Sequence, residues 1–133
     1  MNTIGQIILV DDDYITNFLH EKLIKKMNIA RKVIVRNNGL DALEYLNKLI
    51  KKEPGCPCLV LIDLNMPVMD GFEFIRLYKK KLSRDYIKII VVTTSLSQRD
   101  IERVKQFGDF MYINKPLTPQ KLQEVFDKVL HPI

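Results

Sequence analysis

Cys58-Leu59-Val60-Leu61-Ile62-Asp63-Leu64-Asn65-Met66-Pro67-Val68-Met69-Asp70-Gly71 contains the transition on which the fold turns. Residues 59–62 are uninterrupted apolar side chains, the pattern of a strand buried on both faces rather than one with a wet side. The run stops at a carboxylate, Asp63, and Pro67 with the Asp70-Gly71 turn signal breaks any regular continuation. Beyond Gly71, residues Phe72, Ile75 and Tyr78 recur at helical spacing. Strand, irregular segment and helix follow one another as a βα unit.

The same order repeats outward in both directions. Short Ile- and Val-rich runs lie at 7–10, 33–35, 59–62, 89–92 and 111–113. Between and after them, apolar residues fall at helical intervals: Ile15, Phe18, Leu19, Leu23 and Met27; Ala42, Leu43, Leu46, Leu49 and Ile50; Ile101 and Val104; Leu122, Val125, Phe126, Val129 and Leu130. Ser97 followed by Asp100, and Thr118 before Pro119, read as helix starts, while Asn38-Gly39, Asp70-Gly71 and Gly108-Asp109 read as turns. Strict alternation implies right-handed crossovers, a parallel sheet and helices on both faces. The fold class expected is α/β, a flavodoxin-like (βα)5 three-layer sandwich whose five-stranded parallel sheet has the order 2-1-3-4-5.

With 133 residues the chain holds one core, so residues 1–133 are expected to form a single domain with no room for a separate effector module. Hydrophobic residues make up 47% and charged residues 28%, a balance that excludes disordered and fibrous classes. No apolar run approaches the roughly 18 residues of a membrane span, and no secretory signal is visible, so the expectation is a cytoplasmic protein without membrane insertion. Lys and Arg number 21 against 16 acids, net +5, but the lysines are scattered in groups such as 25–26, 51–52 and 79–81, as on solvated helix faces. No zinc-finger spacing or spare helix-turn-helix accompanies them, so no nucleic-acid partner is expected. Cys56-Pro57-Cys58 lacks the ligands of a zinc site and reads as two reduced thiols; His20 and His131 read as filler rather than as ligands.

In a sheet of this order the ligand crevice lies at the carboxyl ends of strands 1 and 3. Asp11-Asp12-Asp13 follows the first strand and Asp63 the third. Clustered carboxylates repel unless a cation compensates them, and an all-oxygen site open to water favours Mg²⁺. Thr93 at the end of the fourth strand and Lys115 after the fifth face the same rim and suit a phosphoryl group. A carboxylate is a competent nucleophile toward phosphorus, so Asp63 is the candidate phosphoacceptor, and the work left to the site is positioning and charge stabilisation.

Taken together, Ile8-Leu9-Val10-Asp11-Asp12-Asp13, Asn38-Gly39 with Ala42-Leu43, the segment 63–71, Val92-Thr93 and Lys115-Pro116 resemble the receiver domain of two-component response regulators over nearly the whole chain. The resemblance implies that Asp63 is phosphorylated by a histidine kinase or histidine phosphotransfer protein. It implies that Asp11, Asp12, Asp63 and the Asn65 main-chain carbonyl hold Mg²⁺, and that Thr93 and Lys115 contact the phosphoryl group. It also implies a switch in which Thr93 and the aromatic Tyr112 move together and alter the face of the fourth helix, fifth strand and fifth helix for a downstream protein target. A cis bond before Pro116 is a further implication. Thr93-Thr94-Ser95 offers three adjacent hydroxyls; Thr93 is preferred because it ends the apolar run, and a one-residue shift would give its role to Thr94. Ser95 and Asn65 match positions that tune acyl-phosphate lifetime in the family.

Blander readings account for single residues only. Acids favour helix N-termini, which fits Asp13 as a cap. Tyr112 alone is a packed strand residue. A phosphatase of the haloacid dehalogenase kind would use Asp11 as nucleophile and Asp13 as acid/base, but it leaves Asp63 without a role. An FMN binder would set three aspartates against its phosphate. A constitutive docking module needs none of Asp12, Asp63, Thr93 and Lys115. The reading retained is a phosphoacceptor switch, not an enzyme that turns over an external substrate.

Overall fold

A computed structural model describes residues 4–66, 68–94 and 97–130, the side chain of Leu130 excepted; Pro67, Ser95 and His131 lie outside the described residues. Ten elements alternate: β1 (Ile4–Val10), α1 (Tyr14–Met27), β2 (Ala30–Arg36), α2 (Gly39–Lys52), β3 (Cys58–Ile62), α3 (Gly71–Lys81), β4 (Ile87–Thr93), α4 (Gln98–Lys105), β5 (Met111–Asn114) and α5 (Pro119–Leu130). The strands form one sheet of order β2-β1-β3-β4-β5, every pair parallel. This is the flavodoxin-like (βα)5 arrangement expected from the sequence.

Side chains alternate across each strand, so the continuous apolar runs feed two cores. Ile8, Val10, Val60 and Ile62 pack with Leu46, Phe74 and Ile75 of α2 and α3 on one face. On the other face Ile7, Leu9, Leu59 and Leu61 pack with Ile24, Leu122 and Phe126 of α1 and α5. The scattered lysines have a local use: Lys25–Lys26, Lys51–Lys52 and Lys79–Lys81 occupy the last turns of α1, α2 and α3, opposite the negative ends of the helix dipoles. Cys56 and Cys58 are buried free thiols, and burial pushes Cys58 up to about 12.

Three local readings are corrected. Asn38 and Asp70 are helix N-caps rather than turn residues: their side chains accept from the main-chain N–H of Asp41 and of Glu73, both at 2.9 Å. The buried face of α1 is Asn17, His20 and Ile24, with Leu23 and Met27 beside it, whereas Ile15, Phe18 and Leu19 are exposed. Apolar spacing set the wrong stripe because Asn17 and His20 find main-chain partners inside, which makes their burial tolerable. His20 is an interior group whose Nε2 accepts from Leu117 N–H, so of the surface and core places open to it the structure shows the core.

Gly71 fixes how closely α3 approaches the end of β3. A Cβ there would lie 2.6 Å from the Asp63 carbonyl oxygen and 2.8 Å from Leu64 Cα, and the Gly71 N–H donates to the Leu64 carbonyl at 3.0 Å. Both clashing atoms are backbone, so Gly71→Ala must push the Asp63 loop off the helix. The expected cost is about 1–3 kcal/mol by urea denaturation, the range for overpacking. Unchanged stability would show that the loop yields freely.

Candidate phosphoacceptor site

The main-chain ladder continues one residue past the strand ends, and that continuation assembles the site. Asp11 N–H donates to the Arg36 carbonyl at 3.2 Å, Asp63 N–H to the Val10 carbonyl at 3.0 Å, and Lys115 N–H to the Thr93 carbonyl at 2.9 Å. Each candidate residue therefore leaves its strand at the carboxyl edge of the sheet, next to one from a neighbouring strand. The peptide bond between Lys115 and Pro116 is cis, as expected.

The structure brings Asp11, Asp12, Asp63 and Lys115 together. One carboxylate oxygen from each of the three acids lies within 4.8 Å of the others; Asp11 and Asp63 are buried and Asp12 is exposed. Lys115 Nζ donates to Asp11 Oδ2 at 2.5 Å and lies 3.4 Å from Asp63 Oδ2. The remaining Asp11 oxygen, Oδ1, accepts from Asp13 N–H at 2.9 Å, and Asp63 Oδ1 accepts from Asn65 N–H at 3.4 Å. The ammonium thus bridges the two buried carboxylates.

The electrostatics follow from burial and proximity. Burial and then the Asp11 charge raise the Asp63 carboxyl above its ordinary 3.8, and the Lys115 charge only partly offsets them. Burial disfavours charge on Lys115 as well, but the bond to Asp11 and the charges of Asp63 and Asp11 outweigh it and hold the ammonium above 10.5. The donor set consists of oxygens, with an exposed carboxylate at its outer side where water has access, and it fits a hard divalent cation.

Thr93 ends β4 fully buried, while Thr94 is exposed. Tyr112 is half-buried, and its hydroxyl donates to the Ile101 carbonyl of α4 at 3.3 Å. The Arg103 guanidinium over the Phe72 ring at 3.8 Å ties α4 to α3. Asp13 is spent on the helix: its carboxylate accepts from Ile15 N–H at 3.0 Å and from the Thr16 hydroxyl at 2.9 Å. This is the cap role expected for Asp13.

Sequence reasoning missed two residues next to the site. Asn17 Nδ2 donates to the Asp11 carbonyl at 2.7 Å, and Leu117 N–H donates to His20 Nε2 at 3.4 Å. Their signal in the sequence was the spacing 17, 20, 24, an inward stripe that the apolar count passed over because two of its members are polar. In the loop after Asp63, Val68 takes φ 70, a left-handed conformation that β-branched residues rarely adopt.

Residues 7–127 match the family model described as "Response regulator receiver domain". A solved structure, the two-component response regulator from Cytophaga hutchinsonii, superposes with a TM-score of 0.85 at 29% identity, covering 97% of this chain and 98% of that one. The response regulator Rcp1 of Synechocystis is 28% identical over 124 residues, 92% of this chain and 82% of that protein. The peroxide stress-activated histidine kinase mak1 of Schizosaccharomyces pombe is 27% identical over 128 residues, which is 94% of this chain and 8% of that kinase. Among the described residues, no helix is long and apolar enough to cross a membrane.

Proposed function

Because the chain belongs to the response regulator receiver family of two-component systems, we propose that it is a phosphoacceptor switch that takes a phosphoryl group on Asp63 from a histidine kinase or histidine phosphotransfer protein. Residues 1–133 act as one receiver unit, in the cytoplasm, and the signal passes on through binding rather than turnover of a substrate. The observation that carries the reading is the meeting of Asp11, Asp63 and Lys115 at one sheet edge, where a nucleophilic carboxylate and a fixed cation lie side by side.

An Asp63 carboxylate oxygen attacks phosphorus, the bond from phosphorus to the donor nitrogen or oxygen breaks, and the leaving group departs with the electron pair. Asp11, Asp12, Asp63 and the Asn65 main-chain carbonyl would hold Mg²⁺, which when bound neutralises charge on the phosphoryl oxygens. Lys115 stays within reach of the acceptor oxygen and stabilises the charge that arrives with the phosphoryl group. Thr93 takes a further phosphoryl oxygen. Its movement draws Tyr112 away from the Ile101 carbonyl, releasing one hold on α4 and changing the α4-β5-α5 face offered to a downstream protein.

The partner that delivers phosphate has a surface beside the site. Ile15, Phe18 and Leu19 of α1 are each more than half exposed, and a cleft of about 520 Å³ between α1 and the segment after Lys115 adjoins them. An apolar patch of this kind rimming a polar site fits a helical face of the phosphodonor protein. The direct test is intact mass after incubation with acetyl phosphate. A gain of about 80 Da that requires Mg²⁺ and disappears in EDTA is expected for one acyl phosphate. No gain at any time point, together with no response to beryllofluoride, would overturn the proposal.

A further inference from the structure

Asn17 and His20 sit one turn apart on the inner face of α1, 4% and 8% exposed, and each bonds main chain beside one partner of the Asp11–Lys115 ion pair. Asn17 holds the Asp11 carbonyl, and His20 holds Leu117, two residues beyond Lys115. The amide of Asn17 is oriented by that bond: Nδ2 must face the carbonyl, so Oδ1 faces the other way. Among the described residues, Asn17 Oδ1 is a buried side-chain atom without a hydrogen-bond partner, which an interior rarely tolerates.

A cavity of about 10 Å³ lies against Asn17, lined also by His20, Asp11 and Asp63. That is the size that holds a single water, and its wall carries the two to four polar groups a trapped water requires. Asn17 Oδ1 and the carboxylates can only accept, and one water supplies two O–H donors. The His20 ring accepts from Leu117 at Nε2, so its neutral form carries the proton on Nδ1, a donor of the kind a water oxygen takes.

We propose that Asn17 is a positioning residue for the Asp63 site, fixing Asp11 directly through its carbonyl and reaching the Asp63 carboxylate through one buried water held on Asn17 Oδ1. This inference rests on the phosphoacceptor reading of the same site. Asn17 touches neither phosphate nor metal; it acts by holding the two buried carboxylates in place. Partners of this kind behind metal-binding groups typically change affinity about 10–100-fold when removed.

The first test is a crystal structure of the Mg²⁺-free protein at a resolution that shows ordered water. A water within hydrogen-bond distance of both Asn17 Oδ1 and an Asp63 oxygen is expected; a dry cavity, or Oδ1 bonded to a protein N–H, overturns the proposal. The second is Mg²⁺ titration calorimetry on Asn17→Leu, which fills the space without polar atoms. Affinity about tenfold below wild type is expected, with part of it recovered by Asn17→Ser, whose hydroxyl leaves room for water. Wild-type affinity in the leucine variant, or no recovery in the serine variant, overturns the positioning role. If Asn17→Leu fails to fold, the crystallographic test still decides. Wild type that neither binds Mg²⁺ nor takes label from acetyl phosphate would sink the phosphoacceptor reading instead, while the water is read from the metal-free protein independently of that chemistry.

Discussion

Asp63→Asn is expected to take no phosphoryl label from acetyl phosphate and, in EDTA, to be harder to unfold than wild type. The first effect follows from the loss of the nucleophilic oxygen: the amide is close in shape but carries no anionic pair to attack phosphorus. The second follows from the burial of the Asp63 carboxyl, which makes its charge costly in the fold, with the neighbouring Asp11 adding to that cost. Burial, then Asp11, holds the Asp63 carboxyl above its ordinary 3.8, so the folded protein binds that proton more tightly than the unfolded chain does. For a group raised in this way, stability is fully present below the unfolded value and is lost as pH rises through the folded one. Wild type should therefore lose ground to Asp63→Asn as pH climbs above about 4, the ordinary carboxyl value of the unfolded chain. Urea denaturation of both proteins in EDTA across that range measures the difference. Added Mg²⁺ should narrow it, since a cation that binds the native acids stabilises wild type by mass action. A variant less stable than wild type at neutral pH in EDTA would contradict the reading of Asp63 as a carboxyl whose charge the fold disfavours.

The acids and the lysine were legible in the sequence because parallel strands obey a simple rule: an apolar run ends, and the next residue emerges at the carboxyl edge. Asp11, Asp63 and Thr93 follow that rule, and Lys115 follows it one residue later, after Asn114 has closed β5. What stayed hidden were features that depend on where a distant main-chain group lies. Asn17 and His20 are buried because the Asp11 carbonyl and the Leu117 amide are there to receive them, and apolar periodicity counts neither partner. Periodicity alone therefore points Ile15, Phe18 and Leu19 at the core, whereas all three are exposed beside the site. Asn38 and Asp70 show a milder form of the same limit. Residues before Gly suit turns and N-caps alike, and the difference is whether the following N–H groups enter a helix.

Lys115→Met should produce the largest loss of stability of any substitution at the site, because it removes the ammonium that bridges Asp11 and Asp63 and replaces it with a side chain of similar length. Lys115 is only 13% exposed, 2.5 Å from Asp11 Oδ2 and 3.4 Å from Asp63 Oδ2, so water cannot easily take over its role. Breaking a buried pair by removing one partner costs about 3–5 kcal/mol, since the other charge is left without compensation. The exposed position of Asp12 and the option of protonating a carboxyl place the expected cost near the lower end, about 3 kcal/mol at neutral pH in EDTA. Burial already raises the Asp63 carboxyl above its ordinary value, so the penalty should shrink as pH falls and Asp63 takes up its proton. Mg²⁺ should recover more stability in the variant than in wild type, because the incoming cation replaces compensation that wild type already has. Asp63→Asn in the same chain should remove part of the penalty, and the shortfall from additivity in that double-mutant cycle measures the Lys115–Asp63 coupling itself. Labelling by acetyl phosphate should slow about 100-fold even with Mg²⁺ saturating, as when one donor aimed at developing charge is deleted. A Lys115→Met protein that unfolds at the wild-type urea midpoint in EDTA would mean that the fold does not depend on the ammonium, and that the lysine serves phosphate alone.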